Sequence, residues 1–231
     1  MAEKAIIYNL DKKGIATITL NRPEIHNAFD DEIICELTLV LDEIQSNANV
    51  RVVILRAEGK SFSAGADLRW MLRMADYTNE ENKADAVQLA VLMDKLNHLN
   101  KPTIARVQGA AFGGGVGLVA CCDMVVASDR ALFCLSEVRL GLIPAVISPY
   151  VVAAIGERAS RRYFLTAERF NAEEALRLEL VHEVVNEDQL DVTVDSLIHH
   201  LLKGGPEALA NAKELIFAVS RQPTSDEVID D

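Results

Sequence analysis

The chain has 231 residues, half of them hydrophobic and a quarter charged, with 23 Lys+Arg against 35 Asp+Glu for a net charge of −12. That balance excludes a disordered or fibrous chain, and the length suits one α/β unit with an ample core. The acidity argues against nucleic acid or an anionic membrane surface as partner, although backbone amides could still bind a polyphosphate without a basic surface. Met1-Ala2-Glu3-Lys4 lacks the profile of a signal peptide. The longest uncharged run, Leu140–Gly156, is short for a membrane span and carries Pro144 and Pro149, so buried core or pocket wall is expected there. Cys35, Cys121, Cys122 and Cys134 have no CxxC spacing and read as free core hydrophobes in a reducing, cytoplasmic compartment. The five histidines have no ligand spacing, and no metal is expected.

Lys4–Leu10 and Gly14–Leu20 are β-rich runs joined by a turn at Asp11-Lys12-Lys13. Ile33, Ile34, Leu37, Leu41 and Ile44 then recur at helical spacing, which predicts a helix over Asp30–Ser46 capped by Asp30. Arg51–Arg56, with Val52-Val53-Ile54-Leu55 at its centre, predicts a strand buried on both faces. A loop from Ala57 to about Leu68 leads into helical sequence through Leu99, broken around Tyr77–Asn79. Thr103–Val107 predicts a strand, Gly109–Cys122 a loop turning into an apolar helix, and Met124–Ala127 and Ala131–Phe133 two more strands. This alternation implies parallel strands. From Ser148 helices dominate: Ser148–Ile155, Glu157–Thr166, Ala172–Leu178, Gln189–Leu202 and Pro206–Val219, with a β-like interruption at His182–Val185. The expected organisation is an α/β core over 1–147 and a helical region over 148–231 of the same unit.

Two loops could carry chemistry. Lys60-Ser61-Phe62-Ser63-Ala64-Gly65-Ala66-Asp67-Leu68 follows the buried strand, and its small residues let a ligand approach the backbone where α/β sites form. Gln108-Gly109-Ala110-Ala111-Phe112-Gly113-Gly114-Gly115 precedes an apolar helix and offers free N–H groups at its positive end. Neither GxGxxG nor GxxxxGK[ST] spacing is met, so no nucleotide fingerprint or P-loop is present. One amide from each loop could together form an oxyanion hole. Glu137 lies in a mostly apolar stretch where burial would raise its pKa towards that of a general acid/base; pairing with Arg139 or Arg130, or capping a helix, is the alternative.

Together these segments resemble the crotonase superfamily, the enoyl-CoA hydratase/isomerase family, along nearly the whole chain. The resemblance is carried by Leu20-Asn21-Arg22-Pro23 with Asn27-Ala28, Phe62–Leu68, Val107–Gly115 with Cys122-Asp123, Phe133, Glu137, Leu140–Pro144, Ala172–Ala175 and Leu180-Val181. It implies an α/β spiral of ββα turns with C-terminal helices that build a homotrimer or a hexamer. It implies an acyl-CoA thioester substrate and no separate cofactor. By position, the N–H groups of Ala66 and Gly114 would hold the thioester oxygen, Ala64, Ala66, Asp67 and Leu68 would contact the adenine end, and Arg22, Lys60 and Arg69 would be the cations nearest the CoA phosphates. Hydratases of this family usually carry two glutamates, and here those positions are Gly117 and Glu137. A single glutamate resembles the family's Δ3,Δ2-enoyl-CoA isomerases, whereas Arg139–Tyr150 is similar to members acting on branched or carboxylated enoyl-CoAs, the methylglutaconyl-CoA hydratase type. The expectation is an enoyl-CoA hydratase using Glu137, with an isomerase or a non-catalytic CoA-binding scaffold as alternatives. Against the family the chain stops early, at Ile229-Asp230-Asp231, where a basic residue of the final helices could otherwise help bind a CoA phosphate.

Overall fold

Asp11 and Gly14 set the first hairpin. The Asp11 carboxylate accepts the amides of Lys13 and Ile15 (2.8 and 2.9 Å) and Gly14 takes φ 85°. Strand β1 (Ile6–Leu10) therefore pairs antiparallel with β2 (Ile15–Leu20). A computed structural model describes residues 4–220; the features read at Met1–Glu3 and at Ile229-Asp230-Asp231 lie outside the described residues. Helix α1 (Asp31–Ser46) starts where the Asp30 side chain accepts the Ile33 amide (3.1 Å), and it buries the five aliphatic residues that recur in its sequence.

A three-part unit then repeats. Strands β3 (Val52–Ala57) and β4 (Ser61–Ser63) precede helices α2 (Leu68–Met74) and α3 (Asn79–Asn97). Strands β5 (Thr103–Val107) and β6 (Ala110–Phe112) precede α4 (Gly114–Ala120). Strands β7 (Met124–Ser128) and β8 (Leu132–Cys134) precede a 3-10 turn at Glu137–Leu140 and α5 (Ser148–Thr166). The chain closes through β9 (Phe170–Asn171), α6 (Ala172–Arg177), β10 (Glu183–Val185), α7 (Leu190–Leu201) and α8 (Pro206–Val219).

In each unit the first strand joins a six-stranded sheet, ordered β1-β2-β3-β5-β7-β10, and the second joins a four-stranded sheet, ordered β4-β6-β8-β9. The neighbours from β2 to β10 in the first sheet, and from β4 to β8 in the second, pair parallel. This is the expected spiral of ββα turns. The second sheet corrects the reading of Ala57–Leu68 and Gly109–Phe112 as loops: β4 and β6 have three residues each, too few to show a periodicity.

Val53 and Leu55 of β3 point into the main core with Phe29, Phe62 and Phe133, while Val52, Ile104 and Val126 point outward onto Leu190, Val194 and Ile198 of α7. The continuous apolar run in β3 is thus a strand covered on both sides. Helix α5 adds Val151, Ile155 and Tyr163 to the main core. The reading of all four cysteines as core residues needs correcting. Cys35 is exposed on α1, whereas Cys121, Cys122 and Cys134 are buried, with burial pushing the Cys122 thiol up to about 12. Within Leu140–Gly156, Ile147, Val151 and Ile155 are buried in the core and Leu140 and Leu142 line a cavity, as core or pocket wall would; Ile143 is exposed. Among the described residues no helix is long and apolar enough to cross a membrane.

Helix α5 is kinked at Gly156, which sits at φ 75°, ψ 161° and matches the predicted division at Ile155/Glu157. A Cβ at Gly156 would meet nothing within 4 Å, so the restriction there is purely one of backbone. Gly156→Ala should therefore destabilise the fold by about 1–3 kcal/mol, read as a lower urea midpoint with unchanged slope. An unshifted midpoint would contradict it.

Candidate active site

The segment after β4 is held at both ends. Ser63 Oγ accepts the Gly65 amide (3.1 Å) and donates to the Asn27 carbonyl (2.9 Å), and Asp67 caps α2 by accepting the Arg69 amide (2.7 Å). Between these points Phe29 forms a parallel bridge with Ala66: its N–H donates to the Gly65 carbonyl and its carbonyl accepts the Asp67 amide, both at 2.9 Å. These bonds use the groups on either side of Ala66 and leave the Ala66 N–H without a partner among the described residues.

The second segment follows β6. Gly113 takes φ 51° and donates its N–H to the Cys134 carbonyl (2.8 Å), and α4 begins at Gly114, whose N–H likewise has no partner among the described residues. The two segments touch. A Cβ on Gly65, which has φ 84°, would lie 2.6 Å from the Phe112 carbonyl oxygen and 3.4 Å from the Gly114 nitrogen. A Cβ on Gly114 would run into the Phe29 ring. Glycine is required at both places for the approach to exist.

Two buried side-chain amides fix the bend that leads into the first segment. Gln108 Nε2 donates to the carbonyls of Ala57, Gly59 and Ser61 (3.0, 3.1 and 3.0 Å). Asn27 Nδ2 donates to the carbonyls of Glu58 and Ser61 (2.8 and 2.9 Å), and its Oδ1 accepts the Arg22 amide (2.8 Å). The sequence marked Asn27 and Gln108 only as parts of motifs; the structure gives them this mechanical role.

Both segments open onto a cavity of about 550 Å³. Ala64, Ala66, Asp67, Leu68, Gly114 and Glu137 line it, so the residues expected at the two amide, adenine and acid/base positions come together. Arg22 does not line it: its guanidinium reaches Asp30 at 2.9 Å and Asp67 at 3.9 Å and braces the wall from behind. Leu140 and Leu142 also line it, as a pocket wall within Leu140–Gly156 would, whereas no sequence signal placed His26 there; Ser136 lines it beside Glu137. His26 Nδ1 lies 3.0 Å from Ser61 Oγ at a left-handed backbone position that no sequence signal marks. Arg69 also lines the cavity and makes no ion pair among the described residues, while Lys60 is not part of the wall.

Glu137 opens the 3-10 turn after β8. Its Oε1 lies 3.1 Å from where a Cβ on Gly113 would be, and its Oε2 is buried without a hydrogen-bond partner among the described residues. Burial pushes its carboxyl above the ordinary 4.5, and its own backbone amide only partly opposes this. Of the two arginines that could have paired with it, Arg130 instead pairs with Glu187 (2.8 Å), and Arg139 makes no ion pair with it. At Gly117 a side chain would collide with Ile147 and sit 3.2 Å from the Met93 methyl. Buried apolar side chains fill the space at this other carboxylate position of the family pattern.

Gly114→Ala should cost both stability and turnover, since its methyl displaces the Phe29 ring. Adding Phe29→Leu to make room should recover part of both, measured as melting temperature and kcat; a double variant no better than Gly114→Ala would contradict this packing.

Comparison with known proteins agrees with this geometry. The family profile described as "Enoyl-CoA hydratase/isomerase" matches residues 11–230. The crystal structure of an enoyl-CoA hydratase from Shewanella pealeana superposes with a TM-score of 0.95 at 46% identity, covering 98% of this chain and 84% of that one. The short-chain-enoyl-CoA hydratase of Clostridium acetobutylicum is 34% identical over 214 residues, 90% of this chain and 79% of its own. The trans-2-decenoyl-[acyl-carrier-protein] isomerase of Streptococcus mutans is 32% identical over 222 residues, 94% of this chain and 83% of its own. With a spiral of ββα units, two touching loops with free amides and a matching profile along nearly its whole length, the chain belongs to the enoyl-CoA hydratase/isomerase family.

Proposed function

We propose that this protein adds water across the 2,3 double bond of an enoyl-CoA thioester with Glu137 as its one carboxylate. The observation that carries the reading is Glu137, partly desolvated and with Oε2 lacking a hydrogen-bond partner among the described residues, in the same cavity as the free N–H groups of Ala66 and Gly114. Glu137 takes a proton from water as the water oxygen bonds to C3. The C2=C3 electron pair moves towards the thioester, whose oxygen gathers charge against the two amides. The enolate then collapses, and C2 takes the proton back from Glu137. Each amide donor is worth roughly 3 kcal/mol of barrier.

The backbone of Ala64, Ala66, Asp67 and Leu68 supports contact with the adenine end of CoA, and Arg69 is the cation on the cavity wall. Arg22 acts through the Asp67 carboxylate it faces. Residues 1–147 supply the site and 148–231 the helical contacts of a trimer or a dimer of trimers; exposed Leu215, Ile216 and Val219 on α8 support a contact between copies. The second reading is a Δ3,Δ2-enoyl-CoA isomerase, favoured by the apolar packing at Gly117 that leaves a single carboxylate to move a proton between C2 and C4.

Glu137→Gln should abolish turnover while leaving binding of the CoA ester within a few-fold; retained turnover would overturn the reading. Hydration needs ionised Glu137, so kcat should rise with pH through a limb displaced above the ordinary 4.5. The raised folded-state pKa means that folding binds protons and loses stability as pH rises, with the cost complete above that pKa. Glu137→Gln should therefore melt higher than the parent near pH 7, the gap closing as pH falls below 4.5. Ala66→Pro, which deletes one N–H, should lower kcat by about 100-fold; near-full turnover would remove Ala66 from the oxyanion hole.

A further inference from the structure

Adding water poses a problem that moving a double bond does not: the water must be held over C3 with a lone pair aimed at the carbon. One carboxylate oxygen fixes a water at one point only, and at Gly117 the packing of Ile147 and Met93 leaves no room for a second carboxylate. Three hydroxyls lie in the sequence around Glu137, and the structure separates them. Ser148 Oγ donates to the Ala145 carbonyl (2.8 Å). Tyr150 lines a different cavity with Asp94, His98 and Phe217, where burial pushes its phenol up to about 12. Ser136 alone lines the same cavity as Glu137.

Ser136 occupies the N-cap position of the 3-10 turn Glu137–Leu140, where a serine hydroxyl ordinarily bonds a backbone amide of the first turn. Here it makes no capping bond and has no hydrogen-bond partner among the described residues. Its Oγ instead lies 3.9 Å from the point where a Cβ on Gly113 would be, beside Glu137 Oε1 at 3.1 Å from that point. Two oxygens without side-chain partners thus flank the bare Cα of Gly113, next to the Gly114 amide. Any side chain at 113 would crowd the space between them, and its φ of 51° also favours glycine.

We propose that Ser136 is a catalytic residue that holds the attacking water in place of a second carboxylate. This rests on the hydratase reading. The water donates one hydrogen to Glu137 Oε1 and binds the Ser136 hydroxyl through the other, which leaves a lone pair for C3. The hydrogen on Glu137 returns to C2, the other stays on the new hydroxyl group, and Ser136 ends unchanged. The step is balanced by substrate and water alone.

The test compares the protein with Ser136→Ala, Ser136→Thr and Glu137→Gln. The readouts are hydration of crotonyl-CoA and exchange of the C2 hydrogens of butyryl-CoA in D2O, which needs the base and the amides but no attacking water. Ser136→Ala should lower kcat for hydration by about 10- to 100-fold with KM and C2 exchange within a few-fold of the parent, since a hydrogen bond to a reacting group is being removed. Ser136→Thr should restore most of the loss, and Glu137→Gln should lose both reactions. Full hydration by Ser136→Ala, or an equal loss of hydration and exchange, would overturn the role of Ser136 while leaving Glu137 in place. A parent protein that exchanges C2 hydrogens but adds no water would overturn the hydratase reading, and Ser136 with it.

Discussion

Phe29 is the residue on which the geometry of the cleft depends. Its backbone brackets Ala66 through bonds to Gly65 and Asp67, and its ring occupies the space that a side chain at Gly114 would need. The two free amides are therefore referred to one buried side chain rather than to two independent loops. That matters because preorganised donors stabilise charge without reorganising when it forms. Around this clamp, Asn27 and Gln108 hold the Glu58–Ser61 bend by its carbonyls, and Gly65 lets the Phe112 carbonyl approach closely. The helices and the two sheets serve to bring these few atoms together.

Glu137 carries the opposite arrangement. Its Oε2 is left without a hydrogen-bond partner among the described residues, and burial raises its pKa by disfavouring the charged form. A structural glutamate in this fold behaves differently: Glu174, held by Arg177 and the Tyr163 hydroxyl, is pulled down to about 2. The contrast is between a satisfied carboxylate on the surface and an unsatisfied one in a cleft. Environments that shift a titratable group in this way gather where proton transfer takes place.

The long elements were legible in the sequence because periodicity needs length. The spacing of Ile33, Ile34, Leu37, Leu41 and Ile44 found α1, the Val52–Leu55 run found β3, and Gly156 divided α5 where two helices were expected. The second sheet was not legible, since β4 and β6 have three residues each and owe their pairing to partners distant in sequence. Motif order marked Ala64, Ala66, Asp67, Leu68, Gly114 and Glu137, which the fold brings onto one cavity, whereas Arg22 is drawn off by carboxylates that only the fold brings near. His26 and the packing of Ile147 on Gly117 left no trace in the sequence, because each depends on a neighbour remote along the chain.

The central claim is that a site with a single carboxylate, Glu137, and two free amides adds water to an enoyl thioester. Incubating the protein with crotonyl-CoA, 3-methylglutaconyl-CoA and a 3-enoyl-CoA in 18O-labelled water, then weighing the products, tests it most directly. The account predicts that at least one 2-enoyl-CoA gains the mass of one labelled water. Products of unchanged mass with a moved double bond, or bound substrates that do not react at all, would contradict it.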